Sequence, residues 1–453
     1  MDFERYKYIM KLVGGGNYSE YNDHLKLVMD MTVEKGFTLD PVAHLECQKV
    51  ILTVLESVEP LITQGRKLAK EKSDGSYNEQ ADRNKLIASS YREIADGFAY
   101  RTLGHDRVRL RILAQSDTPG LIATPSEGSK AGRNSELRLA QTVVRNGGFA
   151  LLHDITNCLL VGDVSILRHI GDIPYLAEVK NKKLHTPVSI AKQLSNDQLI
   201  TDQKSRLLQA QDMLSSELIQ SGTTTARVIR FKLPVRHFHY GVQKVITKAR
   251  KDGFAGKLLA PYLYVDVVDL HNIDMAKLED IQNRTQRKSD TLGMPFSNLD
   301  NLSIKLGGQA VRGRAPYSVY PYKPVDRVDL ITGELYLFAE LYIESLKKAF
   351  QALGWTLTID IPDEYEKMDR RFGGRDLFRE ISHKEHFVKL RHNDTGYAVY
   401  HGAELLTRIG LEFLSAETVL APIEAHRKLV VSGKLPPNEY VFAMNTHENT
   451  IWK

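Results

Sequence analysis

Three short apolar segments between residues 149 and 182 constrain the fold of this chain most strongly. The segments are 149–154, 159–167 and 175–182. Polar, glycine-containing stretches separate them, which is typical of strands joined by short connections. A helical pattern over 134–145 precedes them and ends at Gly147 and Gly148, and glycine is the usual residue just beyond a helix end. The sequence therefore predicts a helix followed by three consecutive strands.

The alternation of helices and strands continues beyond these segments. We predict a long helix at 187–218, a strand at 226–233, a helix that ends near residue 251, and a strand at 262–268. The helical runs carry apolar residues at helical spacing, and the strands are rich in β-branched and aromatic residues. This order predicts a mixed α/β (α+β) domain over 126–271.

The flanking parts of the chain have a different character. Residues 1–125 read as a helical N-terminal domain, with helices at 41–58 and 78–98, and Asp40 precedes Pro41 as a helix cap. A polar segment at 116–132 marks the first boundary. Residues 272–453 are expected to form a C-terminal α/β recognition or interaction region, with an amphipathic helix at 333–353 and strands at 387–391 and 397–400.

Charge and cysteine content narrow the environment and the partners. The 453-residue chain has a formal net charge of +5, which suits an anionic partner. Residues 281–325 hold seven Lys or Arg against two acids. Two cysteines and a charged N-terminus favour a reducing cytoplasm. Since no apolar run approaches the roughly 20 residues that cross a bilayer, we expect no membrane partner.

Acidic residues in two neighbouring strands point to phosphodiester chemistry. Asp163 lies in the second apolar segment, and the third contains Glu178 and Lys180 on one strand face with Val179 on the other. Two carboxylates beside a lysine are suited to holding a divalent metal ion at a phosphate. The spacing alone is weak, because residues 202–204 repeat it in a helix. An inert ion pair between Asp163 and Lys180 is the alternative.

The order of elements and the acidic residues together resemble the PD-(D/E)xK nuclease superfamily, which has the restriction-endonuclease-like fold. Its core is a helix, a three-stranded meander, a second helix and a further strand (αβββαβ), which would span about 133–233, roughly a quarter of the chain. The resemblance implies that Asp163 and Glu178 are the metal-binding acids and Lys180 the lysine of the motif. It assigns Glu136, on the preceding helix, as an additional acid near the metal. Gly162 stands where the motif has proline.

The resemblance also implies a cofactor and a mechanism. Asp163, Glu178 and the backbone carbonyl of Val179 would bind Mg²⁺, with Mn²⁺ as an alternative. Lys180 would act as a general base if burial lowers its pKa, and otherwise as an electrostatic stabiliser.

Residues near the triplet and in the basic segment are candidates for contact with nucleic acid. These candidates are Lys182, Lys183, Lys192, Gln193, Arg312, Arg314 and Tyr317. Lysines and arginines would meet phosphates, and the tyrosine would stack on a base. The alternative for each is an ordinary polar surface position.

These observations predict a cytoplasmic, magnesium-dependent nuclease, with endonuclease action and with DNA favoured over RNA. Analogy with the superfamily suggests restriction or another antiviral defence against invading nucleic acid, carried out by a homodimer or with a partner protein. The alternative is a non-catalytic nucleic-acid-binding or assembly protein that retains the nuclease fold. A metabolic enzyme of unrelated fold is a third interpretation.

Overall fold

A computed structural model gives the architecture as two compact units. One comprises Met1–Arg230, Ala315–Thr332 and Asn438–Lys453, and the other comprises Phe231–Arg314 and Gly333–Pro437. The residues that the structure describes are 18–38, 40–72, 75–104, 108, 128–159, 162–180, 183–185, 207–208, 210–212, 214–215, 218–221, 224–273, 303–307, 315–359, 388–401, 404–435 and 440–445. Within those residues, none of the helices combines the length and apolar character that crossing a bilayer requires.

Three helices open the first unit. Helix α1 (Tyr18–Met31) continues into a π-helical turn (Thr32–Gly36), and α2 (Pro41–Lys72) packs against α3 (Gly75–Leu103). The Val42 N–H donates to Asp40 Oδ1 at 2.9 Å, so the predicted cap at the start of α2 is confirmed. Both helices bury apolar side chains, including Leu45, Ile51, Leu55, Ile94 and Phe98. Both helices are longer than the sequence pattern predicts.

The predicted helix and three-stranded meander follow these helices along the chain. Helix α4 (Gly128–Arg145) precedes strands β1 (Phe149–Leu152), β2 (Val164–Leu167), β3 (Tyr175–Lys180) and β4 (Lys183–His185), which form one sheet in that order. Each strand is antiparallel to its neighbour. Gly147 ends α4 with φ of +78°, and the Gly148 N–H donates to Val143 O at 3.1 Å. Glycine at this turn was predicted, and the left-handed backbone explains it.

The predicted fourth strand belongs to another sheet. Strand β6 (Thr224–Phe231) lies between β5 (Leu218–Ser221) and β14 (Tyr440–Asn445) in a three-stranded sheet of order β14-β6-β5. Within the described residues, the helix-plus-meander half of the predicted core is present and β6 does not pair with the meander. The described parts of the predicted helix at 187–218 are helical at 207–208, 210–212 and 214–215. The structure is therefore a mixed α+β architecture.

Polar side chains join the N-terminal helices to the meander. Gln48 on α2 donates from Nε2 to Ala150 O and accepts from the Leu152 N–H, both at 2.8 Å. Asp96 on α3 accepts from the Asn157 N–H at 2.7 Å. These side chains satisfy backbone groups of β1 and of the turn after it, so helices and meander form one unit. The compact units are thus not divided at residues 125 and 271, where the sequence pattern changes.

The second unit is built on a four-stranded antiparallel sheet. It contains α5 (His239–Asp252), β7 (Phe254–Ala260), β8 (Leu263–Asp269), β9 (Ser303–Gly307) and β10 (Leu335–Tyr342), with strand order β7-β8-β10-β9. Helix α7 (Ile343–Ala352) leads to a sheet of β11 (Trp355–Ile359), β12 (Val388–His392) and β13 (Ala398–His401), followed by helices α8 (Glu404–Gly410) and α9 (Ala416–Val431). Helix α6 (Pro324–Thr332) belongs to the first unit.

The predicted helix at 333–353 is wrong over its first half. Residues 335–342 form β10, in which buried and half-buried positions alternate, and β10 pairs with β8 on one side and β9 on the other. Helix α7 starts only at Ile343. The apolar residues of this segment fit a period of two as well as a helical period, and pairing with two strands selects the strand.

Candidate active site

Asp163 is bound to the peptide groups on both sides of Glu178. Its N–H donates to Ala177 O at 2.8 Å, and its Oδ2 accepts from the Val179 N–H at 2.5 Å. Glu178 lies between these two residues on β3, and it is 1% exposed. The two predicted metal-binding acids are therefore neighbours across adjacent segments of the sheet.

Asp163 lies just before β2 rather than inside a strand, and Gly162 is the reason. Gly162 has φ of +76°, a left-handed conformation that interrupts the strand. A Cβ at this position would lie 2.9 Å from Leu207 Cδ1 and 3.2 Å from Ala177 O. Proline fixes φ near −65° and could not adopt this backbone. The left-handed backbone thus explains why this position holds glycine and not proline.

Glu136 on α4 faces the same acidic region. It is 8% exposed, and its pKa is raised from 4.5 to about 8. Burial is the largest cause, the negative charges of Asp154 and Asp163 add to it, and Arg133 acts in the opposite direction. Because like charges act strongly only over short distances, these causes indicate that Asp154 and Asp163 both lie near Glu136. The catalytic role of Glu136 stays a prediction.

Asp154 is a member of this acidic region that the sequence reasoning missed. It follows β1, its side chain is 51% exposed, and Arg133 Nε lies 3.9 Å from its Oδ2. No motif spacing marks it, because its nearest charged neighbours come from other segments of the chain. The only sequence feature that pointed to a functional position was that Asp154 is an acid at the end of an apolar segment.

A buried ion network adjoins these acids and joins three helices. Arg133 on α4 lies 3.4 Å from Glu56 and 4.0 Å from Glu59, both on α2. Arg92 on α3 pairs with Glu59 and donates to Thr156 O at 3.1 Å. The network holds α4, and with it Glu136, against the N-terminal helices. No sequence pattern predicted this network, because its members are far apart along the chain.

The donor set fits a hard divalent cation. Carboxylate oxygens are the ligands that Mg²⁺ prefers, and Mg²⁺ commonly takes one or two carboxylates, waters and substrate phosphates. In the described part of the chain, Glu136, Asp163 and Glu178 do not place three ligand oxygens within 4.8 Å of one another. In this arrangement the three residues therefore offer at most two carboxylates to one cation. A cation would also offset the negative charge that raises the pKa of Glu136.

For the remaining members of the predicted motif, the structure gives the positions of the backbone. Lys180 ends β3 and is the Cα partner of Lys183 on β4, while Val179 is the partner of Leu184. The Lys180 side chain lies outside the described residues, so its role stays a prediction. The Val179 N–H is bound to Asp163, and the expected contact of its carbonyl with a metal also stays a prediction.

Most of the residues that were predicted to contact nucleic acid fall in parts of the chain that the structure does not describe. Lys182, Lys192, Gln193, Arg312 and Arg314 lie outside the described residues, as does the side chain of Lys183.

The prediction that Tyr317 stacks on a base is wrong for this structure. Tyr317 is 2% exposed, its N–H donates to Glu93 Oε1 at 2.8 Å, and its ring packs edge-to-face on Tyr320 at 5.2 Å. The tyrosines of this segment pack inside the first unit, where a base has no access to them.

Comparison with known proteins gave no match: no family model, no curated protein and no solved structure matches the chain. The assignment of the candidate site therefore rests on the contacts and burial of its own residues.

Proposed function

We propose that this chain is a metal-dependent nuclease of the PD-(D/E)xK type that hydrolyses phosphodiester bonds of nucleic acid, with DNA as the favoured substrate. One observation carries the proposal. Asp163 is bound through both its backbone and its carboxylate to the residues that flank Glu178. This contact joins, in space, two acids that are fifteen residues apart in the sequence.

Each residue has a distinct task in the proposed site. Asp163 and Glu178 would hold Mg²⁺, which acidifies a bound water and neutralises charge on the phosphate. The Val179 N–H fixes the orientation of the Asp163 carboxylate. Glu178, buried on β3, is shielded from bulk water. Lys180 would supply a positive charge at the phosphate or accept a proton from the attacking water.

The protonation state of Glu136 depends on the charges around it in the proposed site. With a pKa of about 8, its carboxyl group is mostly protonated at pH 7. A cation bound among the acids would lower this pKa and release the proton. Binding of the metal ion should therefore be tighter at higher pH.

Restriction or another form of defence is the biological setting that analogy with the superfamily favours. A dimer or a partner protein would suit cleavage of both DNA strands, because each strand needs an active site.

The test is cleavage of plasmid, linear DNA, single-stranded DNA and RNA in Mg²⁺, Mn²⁺ or EDTA. We expect metal-dependent cleavage that falls at least about 100-fold in Asp163→Asn and Glu178→Gln, since a metal centre supplies several kcal/mol of transition-state stabilisation. Asp252→Asn, at an exposed position near the end of α5, is the matched control and should cut like the wild type. Cleavage that survives both site substitutions would contradict the proposal. Binding of nucleic acid without cleavage would favour the non-catalytic alternative.

A further inference from the structure

His153 contacts the chain on both sides of Asp163. It lies just after β1 and is 2% exposed. Its N–H donates to Asp163 O at 2.9 Å. Its ring contacts Gly162 O through Nδ1 at 2.8 Å and the Ser165 hydroxyl through Nε2 at 2.7 Å. Three hydrogen bonds from one residue therefore brace the segment from Gly162 to Ser165.

The partners of the ring determine its tautomer. A carbonyl oxygen can only accept a hydrogen bond, so Nδ1 of His153 carries the hydrogen that Gly162 O accepts. In a neutral ring, Nε2 then accepts from the hydroxyl of Ser165, which is itself fully buried. Both ring nitrogens are bound to the segment that contains Asp163.

Gly162 explains why such bracing is needed. Glycine has wide conformational freedom, so the backbone at this position does not by itself fix the direction of the next residue. Asp163 must nevertheless keep its Oδ2 on the Val179 N–H. The ring of His153 supplies the restriction that the glycine lacks.

We propose that His153 is the positioning residue of the candidate site: it fixes the Gly162–Asp163 peptide and thereby holds the Asp163 carboxylate beside Glu178. This inference rests on the proposed function for its catalytic meaning. The structural part, control of the Asp163 carboxylate through Gly162 O, can be measured without any cleavage.

Two amide substitutions separate the two ring contacts. Asparagine places a donor near the position of Nδ1 and has no group at Nε2, so His153→Asn retains the bond to Gly162 O. Glutamine places its amide near Nε2, so His153→Gln retains contact with Ser165 and loses the bond to Gly162. A histidine that only fills the core would make both substitutions equally harmful. His169→Asn, at an exposed position after β2, is the matched control.

The first measurement is hydrogen exchange of the Val179 amide in EDTA, because that N–H is bound to Asp163 Oδ2. We expect exchange at least about tenfold faster in His153→Gln, near wild-type exchange in His153→Asn and His169→Asn, and no change at the Ile94 amide of α3 in any of them. Tenfold corresponds to loss of most of one hydrogen bond. Unchanged exchange at Val179 in His153→Gln would overturn the proposal, as would equal acceleration in both His153 variants.

The second measurement is the Mg²⁺ concentration that gives half-maximal cleavage. Loss of a residue that orients a metal ligand typically weakens metal binding 10–100-fold, so we expect that shift in His153→Gln and not in His153→Asn. Absence of cleavage by the wild type would refute the proposed function, while the exchange result would still decide the role of His153. If the His153 variants do not fold, Ser165→Ala, which removes the Nε2 contact and keeps the bond to Gly162 O, should leave Val179 exchange near wild type, and acceleration there would overturn the proposal.

Discussion

Glu136→Gln should stabilise the metal-free protein at neutral pH and leave its stability at pH 4 unchanged. Burial and the nearby Asp154 and Asp163 raise the pKa of Glu136 from 4.5 to about 8. Glutamine has nearly the same shape and does not titrate, so it removes the cost of keeping this carboxyl group protonated in the folded protein at a pH where the unfolded chain ionises.

The size and the sign of the effect follow from linkage between protonation and folding. Below pH 4.5 the carboxyl group is protonated in both the folded and the unfolded protein, and its pKa shift costs nothing. As the pH rises from 4.5 to about 8, the unfolded chain ionises while the folded protein keeps the proton, so stability falls. At about 1.4 kcal/mol per pH unit, the loss is about 3 kcal/mol at pH 7 and about 5 kcal/mol above pH 8. These are upper limits for the gain, because the buried amide needs hydrogen-bond partners of its own.

The assay is urea unfolding in EDTA at pH 4, 7 and 8.5. Glu71→Gln, whose side chain is 54% exposed on α2, is the matched control and should differ little from the wild type at every pH. Added Mg²⁺ should stabilise the wild type more at pH 8.5 than at pH 6, since the ionised acids bind the cation. A stability difference between Glu136→Gln and the wild type that does not change with pH would contradict this prediction. It would show that Glu136 titrates as an ordinary exposed glutamate does.

Three further predictions concern single positions. Gly162→Ala should lower the free energy of unfolding by roughly 1–2 kcal/mol, because alanine is strained in a left-handed backbone, and it should weaken cleavage by displacing Asp163. Thermal stability and cleavage equal to those of the wild type would show that the φ of +76° is not required. Asp40→Ala should lower the free energy of unfolding by about 1 kcal/mol through loss of the cap on α2, whereas Asp40→Asn should be nearly neutral in the same urea titration. Tyr317→Leu, which keeps an apolar side chain and removes the aromatic face, should leave affinity for a fluorescent oligonucleotide unchanged in anisotropy measurements, because the ring is buried. Weaker binding by the folded variant would show that Tyr317 contacts nucleic acid.

Elements whose signals are local could be predicted from the sequence. Asp40 caps α2 and glycines end α4 because capping involves residues within one turn of the helix end. The meander of β1, β2 and β3 was predictable because each strand is a short apolar run between turn signals. The proximity of Asp163 to Glu178 was predicted from their places in two neighbouring apolar segments, and the resemblance to a nuclease family supported it.

Tertiary structure decided everything that depends on a distant partner. The segment that forms β10 fits either a helix or a strand, and its hydrogen bonds to β8 and β9 selected the strand. The raised pKa of Glu136 and the hydrogen bonds of His153 to the Gly162–Ser165 segment arise from groups brought together by packing. Tyr317 looks like a surface residue in sequence and is buried against α3. Composition and spacing describe what a segment can form, whereas burial and hydrogen bonding depend on which other segments lie against it.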